Sequence, residues 1–154
     1  MLLLDSEAIS ALAHDGAAER RNRVRALIAE MRKRELPIAT VAAVLAEVVR
    51  GRTADAQVFS GLKRERVRVL PVDSKVGVRA GKLLGKVSWG SESAVDAFVV
   101  AVADIEGGAV VATVDTDDMR RLAAHAKRVR VVSIQPSVGR QRRVLRGDRM
   151  SLLR

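Results

Sequence analysis

Three aspartates within four positions follow an apolar run in the last third of the chain. The stretch VVATVDTDDMRRLA, residues 110–123, places Asp115, Asp117 and Asp118 after a segment that reads as a buried strand. Clustered carboxylates repel one another, and a divalent cation such as Mg²⁺ relieves that repulsion because it prefers oxygen ligands. The cluster therefore predicts a cation site, provided that the fold brings further acids to it.

Three other acids stand where an α/β fold would bring them to this cluster. Asp5 follows the apolar run MLLL, a predicted strand, while Glu47 in VAAVLAEVVRG and Asp96 in SAVDAFVVAVAD lie on apolar helices. A lone buried carboxylate is costly and needs a compensating charge. Because open α/β sheets place their sites at the carboxyl ends of strands, one shared cation is the interpretation that covers all four positions.

Each acid also has a purely structural interpretation. Asp5 could start the first helix, and the later aspartates could complement a helix dipole. Asp96 could return to Ser93 in a capping box, and Glu47 could pair with Arg50 three residues on. Their combined placement favours the shared site over these separate interpretations.

Strands and helices alternate along residues 1–134. Ser6 and Thr40 are predicted as helix N-caps, and Pro37 indicates an edge strand or the start of a strand. The alternation predicts one α/β domain with a parallel sheet between helices. The predicted strands are MLLL, LPIA, VRVLPV, AVVAT and VRVVSI, and the predicted helices are 6–13, 17–34, 41–50, 54–64, 74–86, 94–106 and 117–125.

The composition of the chain indicates where the protein is located and what kind of partner it binds. The 154 residues contain no cysteine, which excludes disulfides and thiolate metal sites and fits a cytoplasmic protein. MLLLDSEAIS lacks the basic start of a signal peptide, and no apolar run reaches the ~18 residues of a membrane span. The net charge of +10 favours a polyanion, nucleic acid first. Residues 135–154, with six arginines against one acid, are predicted as a basic C-terminal extension.

The four acidic segments resemble, in order, the motifs of the PIN domain family. MLLLDSEAISAL resembles its opening with Asp5, TVAAVLAEVVRG the helix with the family glutamate at Glu47, and AVDAFVVAVAD the third motif at Asp96. VVATVDTDDMRRL resembles the fourth, with Asp115 and the second aspartate Asp118. The pair Ser6-Glu7 and Met119 depart from the common pattern. The resemblance covers residues 1–134 and suits VapC-type toxins of toxin–antitoxin pairs.

This resemblance implies a fold and an activity. The fold would be a three-layer α/β/α sandwich with a short, mostly parallel sheet. The activity would be that of a Mg²⁺- or Mn²⁺-dependent endoribonuclease that leaves a 5′-phosphate and a 3′-hydroxyl. Asp5, Asp96 and Asp115 would hold the metal directly or through water, with Asp118 as a further candidate. Glu47 would either accept a hydrogen bond from a group bound to the metal or orient the attacking water. The partners would be RNA, a cognate antitoxin and a second copy of the chain, whose contact would use apolar faces of helices 17–34 and 54–64.

Other functions remain open at this stage. A receiver-like phosphoacceptor domain would use Asp73 after the third strand, although a helix cap is the simpler role for it. A metal-free ribonuclease would need a general acid and base, for which the chain offers only His14 and His125. A non-catalytic RNA- or DNA-binding module fits the charge, but Phe59, Trp89 and Phe98 are too few for a base-stacking sheet.

Overall fold

The computed structural model describes residues 1–14, 16 and 18–136, which form one α/β unit. Within these residues a single five-stranded sheet has the order β3-β2-β1-β4-β5, and all four strand pairs are parallel. The predicted α/β class is confirmed, and the sheet is parallel throughout rather than mostly. The strands are β1 (Leu2–Leu4), β2 (Ile38–Val41), β3 (Arg68–Leu70), β4 (Ala109–Thr113) and β5 (Val129–Ser133).

Seven helices in the described part connect these strands. They are α1 (Ser6–Ala13), α2 (Ala18–Lys33), α3 (Ala42–Val48), α4 (Asp55–Arg64), α5 (Ser74–Val87), α6 (Ala94–Ile105) and α7 (Thr116–Ala123), with one 3₁₀ turn at Ser91–Ser93. Parallel strands need crossovers, and crossovers are right-handed. The chain moves from β1 outward to β3, then returns across the sheet to β4 and β5. Helices α1–α4 therefore cover one face and α5–α7 the other, which gives the three layers.

An aliphatic core fills the space between these layers. The side chains of β1 are fully buried, as parallel strands covered on both faces require. Helix α6 buries Ala97 and the run from Val99 to Ala103, so its apolar middle lies inside as its composition predicts. Helix α1 packs against both α2 and α4, and helices α5, α6 and α7 pack on one another.

Two predicted helix caps are wrong. Asp5, not Ser6, caps α1, because its carboxylate accepts from the Ala8 N–H at 2.8 Å. Thr40 lies inside β2 and donates to the Leu4 carbonyl at 2.7 Å, while α3 begins one residue after β2 with no side-chain cap. Here the strand runs directly into the helix, so the hydroxyl satisfies the neighbouring strand. Pro37 precedes β2, which is an interior strand, and so marks a strand start rather than an edge.

The apolar faces expected to meet a second copy are mostly used inside the chain. In α2, Val24 and Ile28 are buried, and Leu27 and Met31 pack against the core. In α4 Phe59 is the one large apolar side chain that stays exposed, at 51%. These helices have little apolar surface to spare, because α1 packs against both of them. No helix among the described residues is both long and apolar enough to cross a membrane. The predicted basic extension lies outside the described residues from position 137 onward.

Candidate active site

The order of the strands fixes where a site can form. The chain leaves β1 in one direction and later returns to β4 on its other side, so the helices change face between these two strands. Such a switch point opens a crevice at the carboxyl ends of the strands. Asp5 directly follows β1, and Asp115 comes two residues after β4. The Asp5 N–H donates to the Ala112 carbonyl of β4 at 3.3 Å, which ties the two strand ends together.

Asp5 is the most buried acid at this point, with 6% of its surface exposed. Burial raises the pKa of its carboxyl to about 6, and the nearby charges of Asp96 and Glu7 act in the same direction. Contacts with the Thr113 hydroxyl and the Ala8 N–H lower that pKa and offset part of the burial effect. The helix-cap interpretation of Asp5 is therefore correct but incomplete, because a capping aspartate exposed to solvent would not have its pKa raised by burial.

Asp96 lies in the first turn of α6 and is half-buried. Burial raises its pKa to about 6, and the charges of Glu47, Asp115 and Asp118 raise it further. Ser93 makes no capping hydrogen bond, so the capping-box interpretation is not observed. Every charge that perturbs Asp96 is negative, which leaves this carboxylate without a counter-charge in the described part of the chain.

Glu47 and Asp115 complete the cluster from more exposed positions. Glu47 was expected on a buried helix, but α3 buries only Val44 and leaves Glu47 at the surface. It forms no pair with Arg50, whose guanidinium donates to the Ala46 and Val49 carbonyls at 2.6 and 3.0 Å. Asp115 caps α7 by accepting from the Asp118 N–H at 3.3 Å.

The three aspartates that follow β4 do not act together. Asp117 has 93% of its side chain exposed and lies 3.7 Å from Arg120. Asp118 is half-buried, and its charge reaches Asp96. The structure therefore groups Asp115 and Asp118 with the site and turns Asp117 to solvent, because consecutive residues of a helix point about 100° apart around its axis.

Four of the acids, Asp5, Glu47, Asp96 and Asp115, line one cleft of about 430 Å³, which we call the acidic cleft. Sequence reasoning predicted four of its nine lining residues as site residues and missed the other five, three of which make polar contacts through their side chains. Thr113 is buried and contacts Asp5, and Glu7 and Arg20 form an ion pair at 3.3 Å on its wall. The Ser6-Glu7 departure from the family pattern was the available signal for Glu7. The residues that line the cleft are Asp5, Ser6, Glu7, Arg20, Glu47, Asp96, Thr113, Val114 and Asp115.

The chemistry of this lining suits a hard divalent cation. The four central groups are carboxylates, and such ions take oxygen ligands. Two of those groups have pKa values raised to about 6, so a cation would relieve both burial and repulsion. Within the described residues no three acids converge into a ready coordination sphere. Mutual repulsion holds like charges apart, so the side chains would have to close around an ion.

The fold and the acidic cleft define a class of protein, and sequence comparison names it. The chain belongs to the PIN domain family, whose model matches residues 2–125 and so includes all of the clustered acids. Members of this family are generally metal-dependent nucleases. No curated protein matches the chain.

A solved structure shares the fold. A chain of VapBC2 from Rickettsia felis, bound to a DNA fragment from their promoter, superimposes with a TM-score of 0.58 at 17% sequence identity. The match covers 86% of the present chain and 97% of the other. At this identity the likeness concerns the fold.

Proposed function

We propose that this chain is a Mg²⁺- or Mn²⁺-dependent endoribonuclease that acts as a VapC-type toxin and inhibits translation. One observation carries the proposal: Asp5, Glu47, Asp96 and Asp115 line a single cleft at the switch point of the sheet. Two of these acids are held at a pKa near 6 by burial and like charge, which makes them poor structural groups. Perturbed carboxylates in a cleft are typical of functional sites.

Each acid has a proposed role. Asp5, Asp96 and Asp115 would hold the ion, and Asp118 would be a further candidate ligand. A bound divalent ion supplies Lewis-acid activation of water and neutralises charge on the phosphate. Glu47 is exposed at the cleft and orients the attacking water as its hydrogen-bond acceptor. In-line attack by that water leaves a 5′-phosphate and a 3′-hydroxyl.

The proposed partners follow from charge and fold. The net charge of +10 favours RNA, because Lys and Arg gain affinity by releasing counterions from phosphates. The shared fold with a VapBC2 chain supports a cognate antitoxin as protein partner. The family resemblance motivates a homodimer as the assembly. A basic side chain of the antitoxin set against the acidic cleft would compete with metal and RNA. The proposed setting is the cytoplasm.

The phosphoacceptor alternative loses its support at Asp73. This residue caps α5, accepting from the Val76 N–H at 2.9 Å, and it follows the edge strand β3 rather than a central strand. The structure also gives no support to a metal-free ribonuclease with histidines as general acid and base, because neither His14 nor His125 lines the acidic cleft.

A chelator experiment with matched variants tests the nuclease proposal. Purified chain is incubated with total RNA and Mn²⁺, and the new ends are mapped by sequencing of 5′-phosphate termini. Asp5→Asn, Asp96→Asn and Asp115→Asn should each abolish cleavage, whereas Asp117→Asn, the exposed neighbour, should keep it. EDTA should stop cleavage and leave RNA binding intact. Cleavage that persists in EDTA, or in Asp96→Asn, would contradict the proposed site.

A further inference from the structure

A second cleft, larger than the acidic cleft, lies next to the end of α1. It has a volume of about 510 Å³ and forms between the end of α1, the start of α2 and one face of α4. Three arginines line it, with two uncharged polar side chains between them: Arg21, Arg25, Gln57, Ser60 and Arg64. We call this cleft the arginine pocket. None of the residues that line it is acidic.

One buried carboxylate holds two of these arginines from behind. Glu65 is 8% exposed and pairs with Arg32 at 3.1 Å, Arg64 at 3.6 Å and Arg25 at 3.8 Å. A single negative charge thus faces three guanidinium groups, so the cluster keeps an excess of positive charge. The side chains of Arg25 and Arg64 remain 45% and 52% exposed, and their donors can reach a ligand in the pocket.

Backbone carbonyls also position the arginines. Arg64 donates to the Leu12 carbonyl at 3.3 Å, and Arg21 donates to the His14 carbonyl at 3.3 Å. Both acceptors belong to the end of α1, so the same short helix that begins at Asp5 fixes the pocket at its other end. Guanidinium groups held in this way lose less freedom on binding, and they match phosphate geometry well.

The acidic cleft and the arginine pocket lie at opposite ends of α1. Arg20 lines the acidic cleft, and its neighbour Arg21 lines the arginine pocket. Helix α1 spans the interval, and its eight residues correspond to about 12 Å at ~1.5 Å per residue. Along one strand of a stacked double helix phosphates advance by ~3.4 Å each, so this interval covers at most about three to four nucleotides.

We propose that the arginine pocket binds the RNA backbone a few nucleotides from the phosphate held in the acidic cleft. This inference rests on the proposed nuclease function. An acidic cleft repels the rest of its substrate, and a positive site at this distance offsets that repulsion. Arg21, Arg25 and Arg64 contact phosphate oxygens, and Ser60 and Gln57 donate further hydrogen bonds.

An exposed aromatic ring favours RNA over an acidic protein segment as the ligand. Phe59 is next to Ser60 on α4 and is one of only three aromatic residues in the chain, yet 51% of its surface is exposed. Bases stack on such rings without sequence preference. Phe59 does not line the pocket, but it is adjacent in sequence to Ser60, which does. A backbone contact together with a stacking ring would hold single-stranded RNA without sequence preference.

Salt-dependent binding tests the pocket separately from catalysis. The probe is a fluorescent single-stranded RNA titrated in EDTA with full-length chain that carries Asp96→Asn, so that nothing is cleaved. Arg25→Gln with Arg64→Gln should weaken binding and reduce the slope of log K against log salt by ~0.7 for each lost phosphate contact. Arg25→Lys with Arg64→Lys keeps the charge and should restore most of the slope. Phe59→Ala should weaken binding with the slope unchanged.

A matched arginine outside the pocket provides the control. Arg34 is exposed directly after α2 and pairs with Glu30 at 2.8 Å, so Arg34→Gln should leave binding and slope at wild-type values. In the chain that retains Asp96, the pocket variants should raise KM and leave kcat and the cut position unchanged. Melting temperatures near wild type would establish that the variants are folded.

Three outcomes decide the matter. Pocket variants with the wild-type slope would overturn the proposal. Variants that bind RNA normally but lose a cognate partner protein would also overturn it, since the pocket would then be a protein-docking site. A wild-type chain whose RNA binding depends on the pocket but which cleaves nothing in Mn²⁺ would refute the nuclease proposal and support the pocket.

Discussion

The backbone N–H of Asp115 donates to the hydroxyl oxygen of Thr113 at 3.0 Å. That hydroxyl also contacts the Asp5 carboxylate and lowers its pKa. Because a hydroxyl that accepts one hydrogen bond still has its own proton to donate, Thr113 can link the two acids. The buried, uncharged side chain of Thr113 thereby connects Asp5, which follows β1, with Asp115, which follows β4.

Removal of this hydroxyl should disturb the site without touching an acid. Thr113→Val keeps the shape of the side chain but leaves Asp5 with one partner fewer, so the pKa of Asp5 should rise further above 6. Metal affinity should fall, since the ion would have to displace a more tightly held proton. We expect a loss of stability of about 1–3 kcal/mol. NMR titration of the carboxyl carbons and Mn²⁺ calorimetry measure the two effects.

A conservative change provides the control for this variant. Thr113→Ser retains the hydroxyl and should keep both the Asp5 pKa and Mn²⁺ affinity near wild type, with a modest loss of packing. Equal behaviour of the serine and valine variants would show that the methyl group, not the hydroxyl, matters at this position.

The stability of the metal-free protein should depend on Asp5 in a pH window set by its pKa. A carboxyl raised from 3.8 to about 6 favours the folded state fully below pH 3.8, and this contribution is lost as the pH rises through 6. Asp5→Asn should therefore be more stable than wild type above pH 6, by about 2–3 kcal/mol at most, and equal to it near pH 3.5. Asparagine still caps α1.

Denaturant melts of both proteins in EDTA check this expectation. Asp55 and Asp104 have lowered pKa values and oppose the trend in each protein, but they cancel in the difference between the two. A constant difference across pH 3.5–8 would mean that Asp5 is not the titrating group. Added Mn²⁺ should reverse the order at pH 7 by stabilising wild type more.

Glu47→Gln should impair turnover more than metal binding. Glu47 is exposed and forms no ion pair with Arg50, so its replacement should not affect folding. If its role is to orient water, calorimetry should give wild-type Mn²⁺ affinity while kcat falls by ~10²-fold or more. Complete loss of Mn²⁺ binding would instead make Glu47 a direct ligand.

Residues 137–154 of the basic extension should increase the affinity for RNA without affecting the position at which the RNA is cleaved. Gln135 donates to the Val114 carbonyl at 3.4 Å and accepts from Arg23, so a truncation should end after Pro136 rather than before these contacts. Deletion of residues 137–154 removes six arginines and should flatten the salt dependence of RNA binding. The mapped 5′ ends and the metal requirement should stay as in the full chain. Unfolding on truncation would assign the extension a structural role.

A homodimer is expected in solution. Light scattering at micromolar concentration should give twice the 16.7 kDa of one chain. Val78 on α5 is the most exposed large apolar side chain of those described, at 60%, so Val78→Lys should shift the mass towards monomer and Val78→Ala should not. A monomeric wild type would contradict the assembly.

Much of the fold and the acid set follows from the sequence itself. Apolar runs of strand length alternate with helical periodicity, and that alternation admits few arrangements other than a covered parallel sheet. Asp5 and Asp115 follow such runs, so their place at the carboxyl edge of the sheet is decided by the chain alone. Asp96 could be predicted in the same way, because a carboxylate within an apolar helix needs a partner.

Only the tertiary structure decided which of the acids lie in the cleft and which face solvent. Local pattern reports which face of a helix is buried, not what packs against that face. The structure therefore turned Asp117 to solvent, left Glu47 exposed and filled the apolar side of α2 from within the chain. The contact between Thr113 and Asp5 and the arginines around Glu65 join residues far apart in sequence. Such contacts depend on the order in which strands cross the sheet, which no local pattern encodes.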